Sequence, residues 1–445
     1  MGSSVSPFDP LSIFLYLVTI SLLVIPLFII FPPIPVERSD ALRQTHKRLG
    51  LHGRRSNLSD QYSPAHGAQP GKPGIVQSLF IYPVKSCRGI ELAKSRVLPS
   101  GLEHDRLYTL AQLRAPRQGA APPGAQDGEH EEELWEFATQ RQLPLLANVK
   151  VELWQPDKTK KSRLLGELTD SFIVMRFPWS DKGIAGAVQW LVAKLSRGWR
   201  GVPEKEILLP LEFPPQRDIE ACGYKYANVK IWKETVSALN MDTELPPELA
   251  LYLGAKARLG LFRMDPTKQR PVFRCAPTKE AIGYQPVVDF HDAYPIHMLC
   301  LSSVQDLTKK IQKDKDIQKL DARRFRANLI LSGTGPYEEE SWRSVTFRSV
   351  DGKEVECEFD VSCRTVRCKM PNVDPDTGIR HKTEPDHAIR KYRNVDQGAP
   401  KHGCLGMQLC PLLPSNNGAA GLESLIEVGM QIDKVELGSH LYIDQ

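Results

Sequence analysis

Residues 10–36 contain no charged side chain, and 11–31 are apolar almost throughout. A bilayer core takes about 20 apolar residues to cross as a helix, so this stretch predicts one transmembrane helix. Pro26 lies inside it, which membrane helices tolerate. Pro32, Pro33 and Pro35 end it. A cleaved secretory signal fits less well, because no basic segment precedes the apolar run and the run is too long. Arg38, Arg43, Lys47, Arg48, Arg54 and Arg55 follow. Positive charge stays on the cytosolic side, so the rest of this single-pass chain is expected to face the cytosol. Residues 37–73 are polar and without periodicity, and read as a flexible tether.

From Gly74 the pattern turns to short apolar runs rich in β-formers. Strands are expected at 75–82, 97–98 and 107–110, with a turn at Gly101, and again at 147–154 and 172–177. Helical spacing of apolar positions marks 185–195. Residues 114–133 read as a low-complexity insertion, and 202–219 as a proline-rich loop. Beyond residue 287, strands are expected at 297–301, 325–333, 342–347, 355–359 and 365–368, and a closing pair at 428–429 and 433–437. A helix capped by Ser302 should run to about Lys313. Many strands, few helices and frequent Gly and Pro predict a mostly β (α+β) protein with a β-barrel core and peripheral helices.

Composition narrows the class. The 445 residues are 41% hydrophobic and 25% charged, the balance of a globular protein. A net charge of +5, much of it near the N-terminus, is too mild and local to argue for nucleic acid. The nine cysteines include no C-x-x-C spacing, which disfavours structural zinc and thioredoxin-like chemistry. Their low density fits reduced thiols facing the cytosol. No flavin or nicotinamide fingerprint and no iron–sulfur spacing is visible.

Three segments carry candidate chemistry. Cys368 has Arg364, Arg367 and Lys369 close in sequence, and nearby positive charge favours a thiolate. The run Asp374-Pro375-Asp376-Thr377-Gly378 signals a turn just after it. Tyr82-Pro83-Val84-Lys85-Ser86-Cys87-Arg88-Gly89, with Asp105-Arg106 beyond, combines charged and hydroxyl donors suited to phosphate. In Arg323-Arg324-Phe325-Arg326-Ala327-Asn328, strand alternation would put Arg324, Arg326 and Asn328 on one face. Either an anionic ligand or internal carboxylates would satisfy them.

Together these segments resemble the MOSC family. Residues 81–89 resemble the opening motif of the N-terminal β-barrel domain that precedes MOSC domains. Phe325–Asn328, Arg367-Cys368 and 373–378 resemble the MOSC domain itself, and the likeness covers about residues 75–440. The arrangement is similar to the amidoxime-reducing components, membrane-anchored single chains with an N-terminal helix. The resemblance implies an anchor at 1–36, a tether at 37–73, an N-terminal barrel domain with insertions at 74–285, and a MOSC barrel at 286–445. It also implies a molybdenum cofactor, a pterin bearing a dithiolene, a phosphate and one molybdenum, with Cys368 as metal ligand and catalytic centre. Lys85, Ser86 and Arg106 match positions that hold the phosphate and pterin. Arg326 and Asn328 match another cofactor-contacting pair. Val366 and Arg367 precede the ligand. Asp292, Ala293 and Tyr294 match a cofactor-lining loop, with Ala293 and Tyr294 replacing small hydroxyl residues. Cys363 reads as structural and Cys87 as packing. His297 and His402 read as satisfied polar residues.

The implied activity is reduction of N-hydroxylated substrates with electrons from cytochrome b5 and its NADH-dependent reductase. The mitochondrial outer membrane is a candidate location. Two rivals remain: sulfur transfer through a persulfide on Cys368, and non-catalytic carriage of the cofactor. Pyridoxal phosphate is associated with the family, although the chain lacks a domain with a pyridoxal-phosphate lysine, which weakens the sulfur-transfer reading.

Overall fold

The computed structural model describes residues 9–30, 38–51, 56–114, 134–160, 170–350, 355–414 and 421–443. Most of the insertion expected at 114–133 lies outside them. The protein is mostly β and contains two barrels. The smaller barrel is closed by Lys225–Ile231, Glu234–Asn240, Leu259–Arg263, Tyr108–Leu113 and Leu134–Phe137. The larger sheet runs Leu329–Ser332, Ile296–Cys300, Cys404–Leu412, Glu356–Val366, Trp342–Arg348, Gln431–Leu437, Ile75–Ile81 and Ile90–Leu92. It closes because Leu329–Ser332 also pairs with Ile75–Ile81.

That closure changes the domain picture. The strand Ile75–Ile81 belongs by sequence to the first domain, yet it is a stave of the C-terminal barrel. The division expected at 285/286 therefore cuts through a barrel. Leu259–Arg263, Ile296–Cys300 and Leu329–Ser332 are buried along their whole length. Leu79, Ile81, Leu110, Leu261, Met298 and Leu409 fall in one continuous buried core, and Ala111, Trp135, Val229, Ile231 and Phe262 of the smaller barrel form a second cluster. The chain crosses between barrels twice, along 82–107 and along 289–295. Those crossings build the cavity described below.

A helix spans Pro10–Ile30, as the apolar run predicts. The side chains at 25 and 27–30 lie outside the described residues, and over the described residues no helix is long and apolar enough to cross a membrane. The expected tether contains structure. His46–Arg48 pairs with Lys150–Pro156 as the edge of a four-stranded sheet that continues through Phe172–Pro178 and Glu204–Pro210. Leu42 packs on Trp154 and Val174, and Leu58 joins the core around Phe80. Single apolar anchors in a polar segment leave no periodicity to read.

Other elements differ for local reasons. The loop expected at 202–219 contains Glu204–Pro210 and the helix Gln216–Ala221. Pro203, Pro214 and Pro215 flank these elements, Pro210 ends the strand, and Pro215 stands just before the helix. The strand expected at 325–333 is confined to Leu329–Ser332, because Ala322–Phe325 is a 3-10 turn and Arg326 has φ 54°. Strand alternation of Arg324, Arg326 and Asn328 is lost with it. The strands expected at 355–359 and 365–368 are one, Glu356–Val366. Gly101 lies in a two-residue strand with Leu102. The helix Leu301–Lys310 begins after Cys300, so Ser302 is inside it rather than its cap. The closing pair expected at 428–429 and 433–437 does not form: Val428 and Gly429 lie in the turn after Ser424–Glu427, which joins Lys94–Leu98, and Gln431–Leu437 joins Trp342–Arg348.

A fragment starting at residue 286 lacks the stave Ile75–Ile81 and leaves two sheet edges open. We expect it to show no cooperative unfolding in urea followed by circular dichroism, whereas a fragment starting at Gly74 unfolds cooperatively. A sharp two-state transition in the shorter fragment would contradict the shared barrel.

Candidate functional site

Between the barrels lies a cavity of about 970 Å³. Lys85, Ser86, Arg106, Asp292, Tyr294, Arg326, Asn328, Arg367 and Cys368 all line it, so the structure brings together every expected site residue. Lys85, Ser86 and Arg106 come from the first crossing, Asp292 and Tyr294 from the second. Arg326 and Asn328 follow the 3-10 turn. Arg367 and Cys368 follow the end of the strand Glu356–Val366.

Backbone strain concentrates here. Ser86, Arg106, Trp232 and Arg326 line the cavity with φ of 67°, 53°, 56° and 54°. Left-handed conformations cost non-glycine residues on the order of 1–3 kcal/mol each, and persist only where surroundings enforce them. At Arg106 the enforcement is visible. Asp105, fully buried, accepts from Tyr82 N at 2.6 Å and Asn328 Nδ2 at 2.8 Å, pairs with Arg106, and meets His291 Nε2 at 3.1 Å. Burial works against its charge, but Arg106 and His291 outweigh that and hold the carboxyl well below the carboxylate range. Burial brings His291 to about 4 despite Asp105, so the ring is neutral near pH 7 and donates its Nε2 proton.

Asn328 spends its amide on the protein. Nδ2 donates to Phe80 O at 3.1 Å and to Asp105, while Oδ1 accepts from His297 N and Arg106, each at 3.2 Å. An amide has two donors and two lone pairs, so Asn328 clasps the walls together. Arg324 takes the internal ion pair, meeting Asp374 at 2.6 Å, and Arg323 pairs with Asp321 and Asp376. Arg88 donates to Pro375 O. These three brace the turn after Cys368 rather than the cavity interior. Arg364 is paired with Glu340 and Asp396.

The inner wall is short of negative charge. Lys85 is buried against Phe290 O at 2.6 Å and Asp292 Oδ1 at 2.8 Å. Arg326, 8% exposed, donates to Cys87 O at 2.8 Å and lies 4.1 Å from the Tyr82 ring centroid. Arg367, 6% exposed, donates to Leu405 O and Phe325 O and meets His297 Nε2 at 2.6 Å. Among the described residues, neither Arg326 nor Arg367 has a carboxylate partner. Four cations, Lys85, Arg106, Arg326 and Arg367, thus face two carboxylates, Asp105 and Asp292. Burial lowers Arg367 only to about 10 and Lys85 to about 8, so both carry charge at neutral pH. A buried ion without a counter-charge costs several kcal/mol, so an anion in the cavity would stabilise this wall. His297 is deeply buried and held neutral, far below its usual range, by burial and by Arg367. Gly406, at φ +81°, makes room for it, since a Cβ there would come within 2.5 Å of His297 Nε2.

Cys368 is the half-buried cysteine of the cavity, and the other eight are absent from its lining. Among the described residues no group of three or more His, Cys, Asp or Glu could hold a metal ion. Cys87 and Cys363 are buried; burial raises the Cys87 thiol to about 12, and a hydrogen bond with Cys275, together with burial, raises that of Cys363. Tyr294 lies in the cluster with Cys363, Cys275 and Cys410.

Sequence reading missed Asp105, His291 and Trp232. Asp105 was legible only as the neighbour of Arg106. Trp232 sits in the turn between Lys225–Ile231 and Glu234–Asn240, donates to Asp292 at 3.1 Å and carries Arg141 4.1 Å from its ring. A lone Trp-Lys turn has no local signature.

Comparison with known proteins assigns the class. Residues 73–169 match the MOSC N-terminal beta barrel domain and residues 285–432 match the MOSC domain. The chain is a MOSC-domain protein whose MOSC domain follows an N-terminal barrel. It is similar to mitochondrial amidoxime reducing component 2 of Rattus norvegicus, at 24% identity over 339 residues, covering 75% of this chain and 76% of the relative. It is also similar to mitochondrial amidoxime-reducing component 1 of Mus musculus, 25% identical over 326 residues, 73% of this chain and 72% of the relative. The same component of Homo sapiens is 22% identical over 331 residues, 74% of each chain.

An anion without a chemistry of its own tests the wall. Sulfate binding followed by calorimetry should be strongest below about pH 8 and weaken as pH rises through it, because Lys85 loses its proton there while Arg367 keeps its own to about 10. Lys85→Met should remove this step. A step that survives in Lys85→Met contradicts the assignment.

Proposed function

We propose that the chain is a molybdenum-cofactor-dependent reductase of N-hydroxylated substrates. The observation that carries this reading is Cys368, the one cysteine lining the cavity among the described residues, beside two buried arginines, Arg326 and Arg367, that have no carboxylate partner among those residues. The residues fit the group. Arg326, Arg367, Arg106 and Lys85 supply charge for a phosphate, His291 Nδ1 is an acceptor without a partner among the described residues, and Cys368 supplies one soft sulfur. One thiol suits a metal that arrives already coordinated. When bound, the cofactor would supply two-electron redox chemistry at molybdenum, while the protein supplies binding, orientation and electrostatics.

The chain's own residues then divide the work. Arg326 and Arg367 anchor anionic oxygens. Asp105 and Asn328 hold Arg106 and the crossing loops in place. Asp292 keeps Lys85 charged in a buried setting. Trp232 and Phe137 wall the cavity from the smaller barrel and limit water. The relatives' names supply the substrate class, an amidoxime, and the mitochondrial association. Electrons would come from a cytochrome b5-type donor and its NADH-dependent reductase. The apolar helix Pro10–Ile30, roughly 30 Å long at 1.5 Å per residue, would anchor the chain in the outer membrane with the barrels in the cytosol. Sulfur transfer through Cys368 gains no support from the site, and neither the site nor the comparisons favours pyridoxal phosphate.

Protein made in a host that synthesises the cofactor separates these readings. Wild type should contain molybdenum and reduce a benzamidoxime. Cys368→Ala should fold, by circular dichroism, and lose turnover. Arg326→Ala should bind cofactor at least about tenfold more weakly, since a charged hydrogen bond is worth about 1.5–3 kcal/mol. Full turnover in Cys368→Ala, or unchanged molybdenum in Arg326→Ala at limiting cofactor, would refute the assignment.

A further inference from the structure

The helix Ile184–Arg197 is turned inside out. Gly186 and Ala193 face the protein, and Gly186 lies so close to Asp181 O that a Cβ would sit 1.9 Å from it. The large apolar residues face outward: Ile184 is 86% exposed, Leu191 61% and Leu195 76%, with Val188 exposed between them. Positions 184, 188, 191 and 195 recur at helical spacing and form one stripe. Trp199, 87% exposed, continues it, and Trp190 flanks it. A stripe of this kind normally seeks a partner.

The rim indicates which partner. Residues 182–203 contain Lys182, Lys194, Arg197 and Arg200 and no carboxylate. Lys194 lies 5.5 Å from the Trp190 ring centroid and 5.8 Å from that of Trp199. Arg197 is also paired with Glu204 at 2.7 Å. Aliphatic side chains, two tryptophans and basic flanks are the composition of a helix lying in a lipid headgroup layer.

A shared sheet also links the helix that carries this stripe to the segment after the N-terminal helix. Ile184–Arg197 connects Phe172–Pro178 to Glu204–Pro210, and Ser39 is bound to that same sheet by Glu206 Oε1 at 3.1 Å and by Arg176 at 2.6 Å. Eight residues lie between Ile30 and Ser39, a reach of at most roughly 30 Å. We propose that the outward face of Ile184–Arg197, with Trp199, seats in an anionic lipid surface as a second membrane contact. This rests on the reading that Pro10–Ile30 is an anchor, and it would fix how the barrels lie over the membrane.

The test uses the full chain reconstituted into phosphatidylcholine vesicles with and without phosphatidylserine, containing brominated acyl chains. Emission from Trp190 and Trp199 is isolated by difference from a Trp190→Phe/Trp199→Phe variant. On anionic vesicles that emission should be quenched, and more strongly than on neutral ones. Ile184→Ser/Leu191→Ser/Leu195→Ser should stay vesicle-bound, keep its circular dichroism and lose the quenching. Co-sedimentation without quenching overturns the proposal alone. Blue-shifted but unquenched emission also overturns it, assigning the face to a second copy or to the N-terminal helix. Equal quenching on neutral vesicles contradicts the anionic assignment. Failure of the wild type to co-sediment overturns the anchor and this proposal together.

Discussion

One buried carboxylate organises the centre of this protein. Asp105 receives a backbone N–H, a side-chain amide, a histidine and an arginine, drawn from both crossings and from the segment after the 3-10 turn. With its charge spent on Arg106, nothing remains for Arg326 and Arg367. The cavity is therefore stable as a scaffold and incomplete as a charge arrangement. Breaking such a buried network by removing one partner costs about 3–5 kcal/mol, because the others are left uncompensated. Strain at Arg106 and Arg326 is held by this network, with Arg106 donating to Arg326 O, which links the fold directly to the site.

The two barrels meet through the chain rather than only through surfaces. A strand from the N-terminal region completes the larger barrel, and the segment leaving it carries Lys85, Ser86 and Arg106 to the boundary. The smaller barrel answers with Trp232 on a hairpin turn and Phe137 at a strand end. Binding residues on rigid elements keep their geometry, and here every donor to the cavity is within a few residues of a stave or a braced turn. Arg323, Arg324 and Arg88 do that bracing on the Cys368 side.

Much of the β content was legible because short apolar runs bounded by Gly and Pro are local signals. The strand at residue 75, the helix near 185 and the placement of Cys368 after a strand all came from such patterns. Spaced motifs singled out Lys85, Arg106, Arg326 and Cys368, and the fold brings the four to one cavity. What stayed hidden depends on distance in sequence. Pairing of Ile75–Ile81 with Leu329–Ser332 spans most of the chain. The left-handed turn at Arg326 broke an alternation that looked continuous, sending Arg324 outward to Asp374 and leaving Arg326 inside. The packing of Leu42 and Leu58 came from isolated residues in a polar stretch. The outward stripe at 184–195 looked like an ordinary amphipathic helix, because spacing alone does not say which face turns inward.

The central claim is that Cys368 ligates molybdenum beside a wall whose buried cations outnumber its carboxylates. X-ray absorption at the molybdenum edge, on protein purified from a cofactor-producing host, addresses it at the atom concerned. The account predicts that the wild-type metal has one more sulfur neighbour than the metal retained by Cys368→Ser. Identical sulfur shells in the two proteins, or no molybdenum in the wild type, would contradict it.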